Sequence, residues 1–130
     1  MEQLTPKQAA QFLKDNPKAL FIDCRSQMEY HFVGHPIDAI HVSWNDGFDW
    51  EVNPHFVGEV KKLAGHAHDR PVVLISRNRV RSAEAGAALE ANGFSRVYTV
   101  KNGFEGDLDD DHHRSNINGW CHDGLPWQQC

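Results

Sequence analysis

The sequence predicts an α/β domain built on a mostly parallel sheet covered by helices, and three observations carry that reading. Two short apolar runs, Leu20 to Cys24 and Pro71 to Ile75, have the near-continuous hydrophobicity of strands covered on both faces. Between such runs lie stretches with helical spacing of apolar residues, and strands alternating with helices imply parallel pairing through helical crossovers. The helical stretch after Ile75 is rich in alanine, and small side chains suit close packing of a helix on a sheet.

Taken in order, the chain opens with a helix: Thr5 is the N-cap, Pro6 stands in the first turn, Gln8 completes a capping box, and Ala9, Phe12 and Leu13 recur at helical spacing. Leu20-Phe21-Ile22-Asp23-Cys24 follows as a strand, and Ser26 with Glu29 gives a second capping box that starts a short helix. Gly34-His35-Pro36-Ile37 breaks that helix, and Ala39-Ile40-His41-Val42 reads as a further strand. The stretch from Trp44 to Asn53, rich in Gly, Asp and aromatics, reads as a loop whose Trp44, Phe48 and Trp50 either line the approach to a site or, as is commoner for aromatics, pack over the edge of the core. The next helix sets Phe56, Val57, Val60, Leu63 and Ala64 on one stripe and stops at Gly65. Pro71 to Ile75 is the strongest strand signal, Arg81 to Asn92 is the alanine-rich helix stopped by Gly93, and Arg96 to Val100 is the last strand. From Gly103 onward the sequence is irregular and acidic.

A chain of 130 residues can bury one continuous core, so residues 1–130 read as a single domain. With 40% hydrophobic and 24% charged residues the composition is that of a soluble globular protein rather than a disordered, fibrous or membrane-spanning one. The net charge of -5 offers no global attraction to nucleic acid or to an anionic membrane, and neither is expected as a partner. The N-terminus has neither a basic start nor an apolar run and does not read as a signal peptide, so a cytoplasmic location is expected. Cys24, Cys121 and Cys130 include no C-x-x-C pair and read as free thiols, not as a disulfide framework or a zinc site. The histidines, including His112 and His113 beside Asp109 to Asp111, lack a spacing that would converge on a metal; neither a metal nor a cofactor is expected.

In an open α/β sheet ligands collect outside the carboxyl ends of the strands, and the strongest strand runs directly into Ser76-Arg77-Asn78-Arg79-Val80-Arg81 before a helix. The backbone N–H groups of that loop would face inward beside the positive end of the helix dipole, and three arginines add forked donors, an arrangement suited to an anion. A solvated charged face is the alternative reading of the same arginines; the position after a buried strand favours a site.

The run Asp23-Cys24-Arg25-Ser26-Gln27-Met28-Glu29-Tyr30 followed by Gly34-His35-Pro36-Ile37-Asp38-Ala39 resembles the first signature of the rhodanese family. The loop from Ser76 to Ser82 resembles that family's active-site loop, with Arg77, Arg81 and Ser82 in place, and Gly103-Phe104, Gly119-Trp120 and Gly124-Leu125-Pro126 resemble its last landmarks. The resemblance spans nearly the whole chain. It implies a doubly wound sheet with helices on both faces, and a loop cysteine that takes sulfane sulfur from a donor such as thiosulfate and passes it, as a persulfide, to a thiophilic acceptor. It also implies that Ser76 to Arg81 hold the nucleophile position and the anion, with Asp23, Arg25, Glu29 and Ser82 in support.

The sequence departs from that pattern at the nucleophile. Ser76 stands where the family carries cysteine; a hydroxyl is a far weaker acid than a thiol, no His or Lys base lies in the neighbouring sequence, and serine forms no persulfide. Arg79 stands where the loop often carries glycine, so either the backbone there avoids positive φ or the site carries strain. The expectation is a sulfurtransferase-type domain, inactive in its Ser76 form but able to bind a small sulfur-bearing anion, with a protein sulfur acceptor as partner. The alternative is a naturally non-catalytic rhodanese-like binding or regulatory module.

Overall fold

The computed structural model describes residues 1–46 and 51–129. Its central sheet has five strands, β1 (Glu2–Leu4), β2 (Leu20–Asp23), β3 (Ile40–His41), β4 (Val72–Ile75) and β5 (Val97–Val100), in the spatial order β1-β5-β4-β2-β3. Every pairing in it is parallel. Three helices, α1 (Pro6–Asp15), α2 (Phe56–Leu63) and α3 (Val80–Ala91), cover both faces.

The period-two alternation of the strands decides which helix lies where. Leu20, Ile22, Val72, Leu74 and Val97 point to the side where Phe56 and Val60 of α2 and Ala85 and Leu89 of α3 pack. Phe21, Val73, Ile75 and Val100 point to the other, against Ala9 of α1 and the later residues Phe104 and Trp120. All four residues of β4 are fully buried, each contributing about 1.5–3 kcal/mol relative to an exposed side chain. The run that looked strongest as a strand is thus the centre of the sheet, and its end is rigidly placed.

The N-cap of α1 forms as expected: Thr5 Oγ accepts from the Gln8 N–H at 3.1 Å, and Gln8 Oε1 accepts from the Thr5 N–H at 2.9 Å. The box at Ser26 also forms, with Ser26 Oγ accepting from Glu29 N–H at 3.3 Å and Glu29 Oε1 accepting from Ser26 N–H at 3.2 Å, but the helix after it is a single wide turn, Glu29–Val33, closed by Gly34 N–H to Glu29 O at 3.2 Å. Tyr30 accounts for the widening. Its hydroxyl donates to Ala39 O at 3.0 Å and its ring stacks on His35 and His41 at 3.8 and 4.5 Å, drawing the turn toward the chain that follows. Gly34 then leaves at φ 115°, and a Cβ there would sit 2.7 Å from the Trp127 ring.

Strand β1 has no apolar run to announce it; its three residues join the sheet through backbone pairing of Glu2, Gln3 and Leu4 with Tyr98, Thr99 and Val100. Trp44 is buried and meets Phe56 edge-on at 5.3 Å, as expected for an aromatic over the core, whereas Phe48 and Trp50 lie outside the described residues. Among the described residues no helix is long and apolar enough to cross a membrane.

Candidate functional site

Ser76 is the first residue beyond β4 and is fully buried. Its Oγ accepts from the Ser82 N–H at 3.1 Å and donates to Ser82 Oγ at 3.1 Å; Ser82 Oγ in turn donates to Arg79 O at 2.8 Å. The Ser76 O–H is therefore hydrogen-bonded to a second hydroxyl, itself bonded to a carbonyl, and no base stands against it.

The first two carbonyls of the loop are fixed by the segment 104–106. Ser76 O accepts from Phe104 N–H at 2.8 Å, and Arg77 O accepts from Glu105 and Gly106 N–H at 2.9 and 3.2 Å. That approach requires glycine at 103, where φ is 66° and a Cβ would lie 2.3 Å from Ser76 O. With the Ser76 and Arg77 carbonyls taken by residues 104–106, the N–H groups of Arg77, Asn78 and Arg79 find no protein acceptor among the described residues. They lead into the N-terminus of the twelve-residue helix α3, so untaken donors and a positive helix end coincide.

Arg79 adopts φ 122°, ψ -25°, a region that costs a residue with a Cβ about 1–3 kcal/mol. The loop thus keeps the backbone shape that glycine would hold freely, and carries strain. Its guanidinium turns to Gln3 on β1, with Nε 3.0 Å from the side-chain amide oxygen, and does not narrow the mouth.

Above the loop opens a pocket of about 710 Å³ into which Arg77, Asn78, Val80 and Arg81 face. Three arginines (77, 81 and 114) are balanced there by three glutamates (29, 84 and 105). Arg81 forks onto Glu29, Nη1 to Oε1 at 2.7 Å and Nη2 to Oε2 at 2.8 Å. Burial alone would push the Glu29 carboxyl up, but the hydrogen bonds and charge of Arg81, helped by Ser26, outweigh it and bring the pKa down to about 2. Ser76 and Ser82 lie beneath this pocket rather than in its wall. Behind them Asp23 and Arg25 form a fully buried ion pair, Nη2 to Oδ2 at 2.8 Å; Arg25 also donates to Gly34 O and lies 4.4 Å over the Phe104 ring.

Sequence reasoning singled out Asp23, Arg25, Glu29 and the 76–82 loop, and the fold gathers all of them at the carboxyl ends of β2 and β4. It missed Arg114, Glu84, Glu105 and Asn45, which line the pocket from α3, the irregular tail and the chain after β3. No spacing in the sequence marks them, because the tail returns to the loop through backbone bonds that leave no residue-type signature.

Two cysteines could stand in for the missing nucleophile, and neither is poised to do so. The Cys24 thiol is fully buried and donates to Ile75 O at 3.3 Å; burial and then Asp23 push its pKa far up. Burial likewise pushes Cys121 up to about 12. Cys130 lies outside the described residues. Among the described residues no group of His, Cys, Asp or Glu is placed to hold a metal ion. Within the acidic stretch, Asp109 instead accepts from the backbone of Asp111 and His113 and from Asn116.

The chain matches the family model of the rhodanese-like domain over residues 5–109. It is 32% identical over 124 residues to the thiosulfate sulfurtransferase GlpE of Actinobacillus pleuropneumoniae serotype 3, covering 95% of this chain and 90% of that protein. It is 34% identical over 91 residues to the tRNA uridine(34) hydroxylase of Sodalis glossinidius, of whose length the match covers only 24%. Among solved structures it resembles that of Rv0390 from M. tuberculosis, with 34% identity, a TM-score of 0.87 and coverage of 100% and 98% of the two chains. It also resembles the polysulfide-sulfur transferase homodimer from Wolinella succinogenes, with 26% identity, a TM-score of 0.69 and coverage of 100% and 80%.

Proposed function

This chain belongs to the rhodanese-like domain family, and on that premise we propose that it is a sulfurtransferase-type domain whose 76–81 loop binds a small sulfur-bearing anion and which, with serine at position 76, transfers no sulfur. The observation that carries this reading is the row of untaken N–H groups at residues 77, 78 and 79, in the loop that follows a hydroxyl with no base. Preorganised donors of this kind hold an anion without further rearrangement. The names of the relatives, one a thiosulfate sulfurtransferase and one a polysulfide-sulfur transferase, support the substrate class.

The chemistry follows from the nucleophile. A thiolate at position 76 attacks the outer sulfur of thiosulfate; the new S–S bond forms as the old one breaks, and sulfite leaves with the bonding pair. Cyanide, or a thiol on a protein acceptor, then takes the terminal sulfur and restores the thiolate. The Ser76 hydroxyl cannot enter this cycle, because nothing accepts its proton and oxygen forms no persulfide.

The test is thiocyanate formation from thiosulfate and cyanide by the chain and by Ser76→Cys. Turnover by the variant alone is expected. A turnover equal in both proteins would mean that position 76 is not the nucleophile's. A second reading, a binding module that engages a partner protein, draws on Met28 and Phe32, each 70% exposed on the segment that carries Glu29. Thiosulfate binding by the Ser76 chain, with Ser76→Cys inert, would favour it.

A further inference from the structure

We infer that Arg114, from the irregular tail, is the arginine that holds the oxygen end of the bound anion, in the place where Arg81 would be expected to act; this rests on the anion-binding reading above. Of the loop arginines, Arg81 has both of its terminal nitrogens on the Glu29 carboxylate, and Arg79 is turned onto Gln3. Arg77 and Arg114 are the other two arginines at the site, and both line the pocket.

Arg114 is fastened to the loop by a short relay. Its Nη1 donates to Gly106 O at 2.7 Å, and the Gly106 N–H donates to Arg77 O at 3.2 Å, so one residue links the Arg114 side chain to the loop backbone. That bond uses one of the five N–H donors of the guanidinium, and the side chain is half-buried rather than swinging in solvent. The acidic stretch before it is built to keep it there. The Asp109 carboxylate accepts from the N–H groups of Asp111 and His113 at 2.9 and 2.8 Å and from Asn116 Nδ2 at 2.8 Å, while Ser115 N–H donates to Glu105 O at 2.7 Å. Asp107 and Asn118 close the base of the same loop through paired bonds at 2.9 and 3.0 Å. Two carboxylates of a run that looks solvated in sequence, Asp107 and Asp109, thus tie the chain before Arg114 to the chain after it through Asn118 and Asn116.

Charge gives the arrangement its consequence. With Arg81 and Glu29 neutralising each other, Arg77 and Arg114 face Glu84 and Glu105. Removing the Arg114 charge leaves one arginine against two glutamates, which repels an anion at a site whose amides would otherwise attract it.

The test is calorimetric titration of the chain with thiosulfate at low ionic strength, repeated with Arg114→Gln, which can still donate to Gly106 O, and with Lys62→Gln on α2 as a control for net charge. Arg114→Gln is expected to weaken binding about tenfold, as for loss of one charged hydrogen-bonding partner, and Lys62→Gln to leave it unchanged. Binding by a folded Arg114→Gln within about twofold of the parent chain would overturn the inference. Should Arg114→Gln not fold, Asp109→Asn provides the same decision: it keeps Arg114 but loosens its loop, and undiminished thiosulfate affinity in that variant would count against the inference. No thiosulfate binding by the parent chain would instead bring down the anion-binding reading on which this one stands.

Discussion

Glu29 keeps its charge in a half-buried position because Arg81 clasps both carboxylate oxygens. Its pKa in the folded chain, about 2, lies below the ordinary 4.5, so the pair's contribution is complete above about 4.5 and is lost as the pH falls from there through about 2. Glu29→Gln should lower stability at neutral pH by about 1–3 kcal/mol, and the gap between the two proteins in urea unfolding should close toward pH 2. A gap of constant size across that range would show that the ion pair is not its source. Arg79 supplies a second test at this scale, because its backbone strain and its side-chain contact can be separated. Arg79→Gly relieves the strain and Arg79→Ala retains it, while both lose the contact with Gln3; the glycine variant should be the more stable by about 1–2 kcal/mol despite its looser unfolded chain. Equal stabilities would mean that φ 122° costs nothing. The place of these residues was legible in the sequence, since a serine and three arginines follow directly on a buried strand. That Arg81 would be taken by Glu29 was not, because the two are 52 residues apart and only the sheet brings them together.

Among the elements, the legible ones were those whose identity rests on local chemistry. The capping box and proline of α1, the stripe on α2 and the apolar run of β4 form where the sequence places them, within a residue or so at their ends. The less legible ones depend on partners. Strand β1 is ordered by the edge of β5, and the turn at Glu29–Val33 departs from the helix its capping box announces because Tyr30 is drawn onto His35, His41 and Ala39. The loop between β4 and α3 belongs to both groups. Its place could be read from the strand before it, whereas the direction of its amides follows from residues 104–106, which take its carbonyls, and from Gly103, which alone allows that approach.

On the scale of the whole molecule, the tail completes the domain and its site together. The family match ends at residue 109, yet Trp120 beyond it is buried, lies 5.3 Å from Phe21 and donates through Nε1 to Pro126 O at 2.9 Å. Backbone bonds from Trp120 and Cys121 to Gly103 and Phe104, at 2.9 and 3.2 Å, tie the tail to the segment that orients the loop. Trp120→Ala should cost about 3–5 kcal/mol in thermal or urea unfolding, the range for emptying a large aromatic site. A loss under about 1 kcal/mol would mean that the tail is an appendage rather than part of the core.

The central claim is that residue 76 occupies the nucleophile's position in an otherwise competent anion loop, and the most direct measurement is the intact mass of the chain and of Ser76→Cys after thiosulfate, and again after cyanide. One added sulfur is expected on the variant alone, mapping to residue 76 and removed by cyanide. A sulfur adduct on the Ser76 chain at Cys24 or Cys121, or no adduct on either protein, would contradict it.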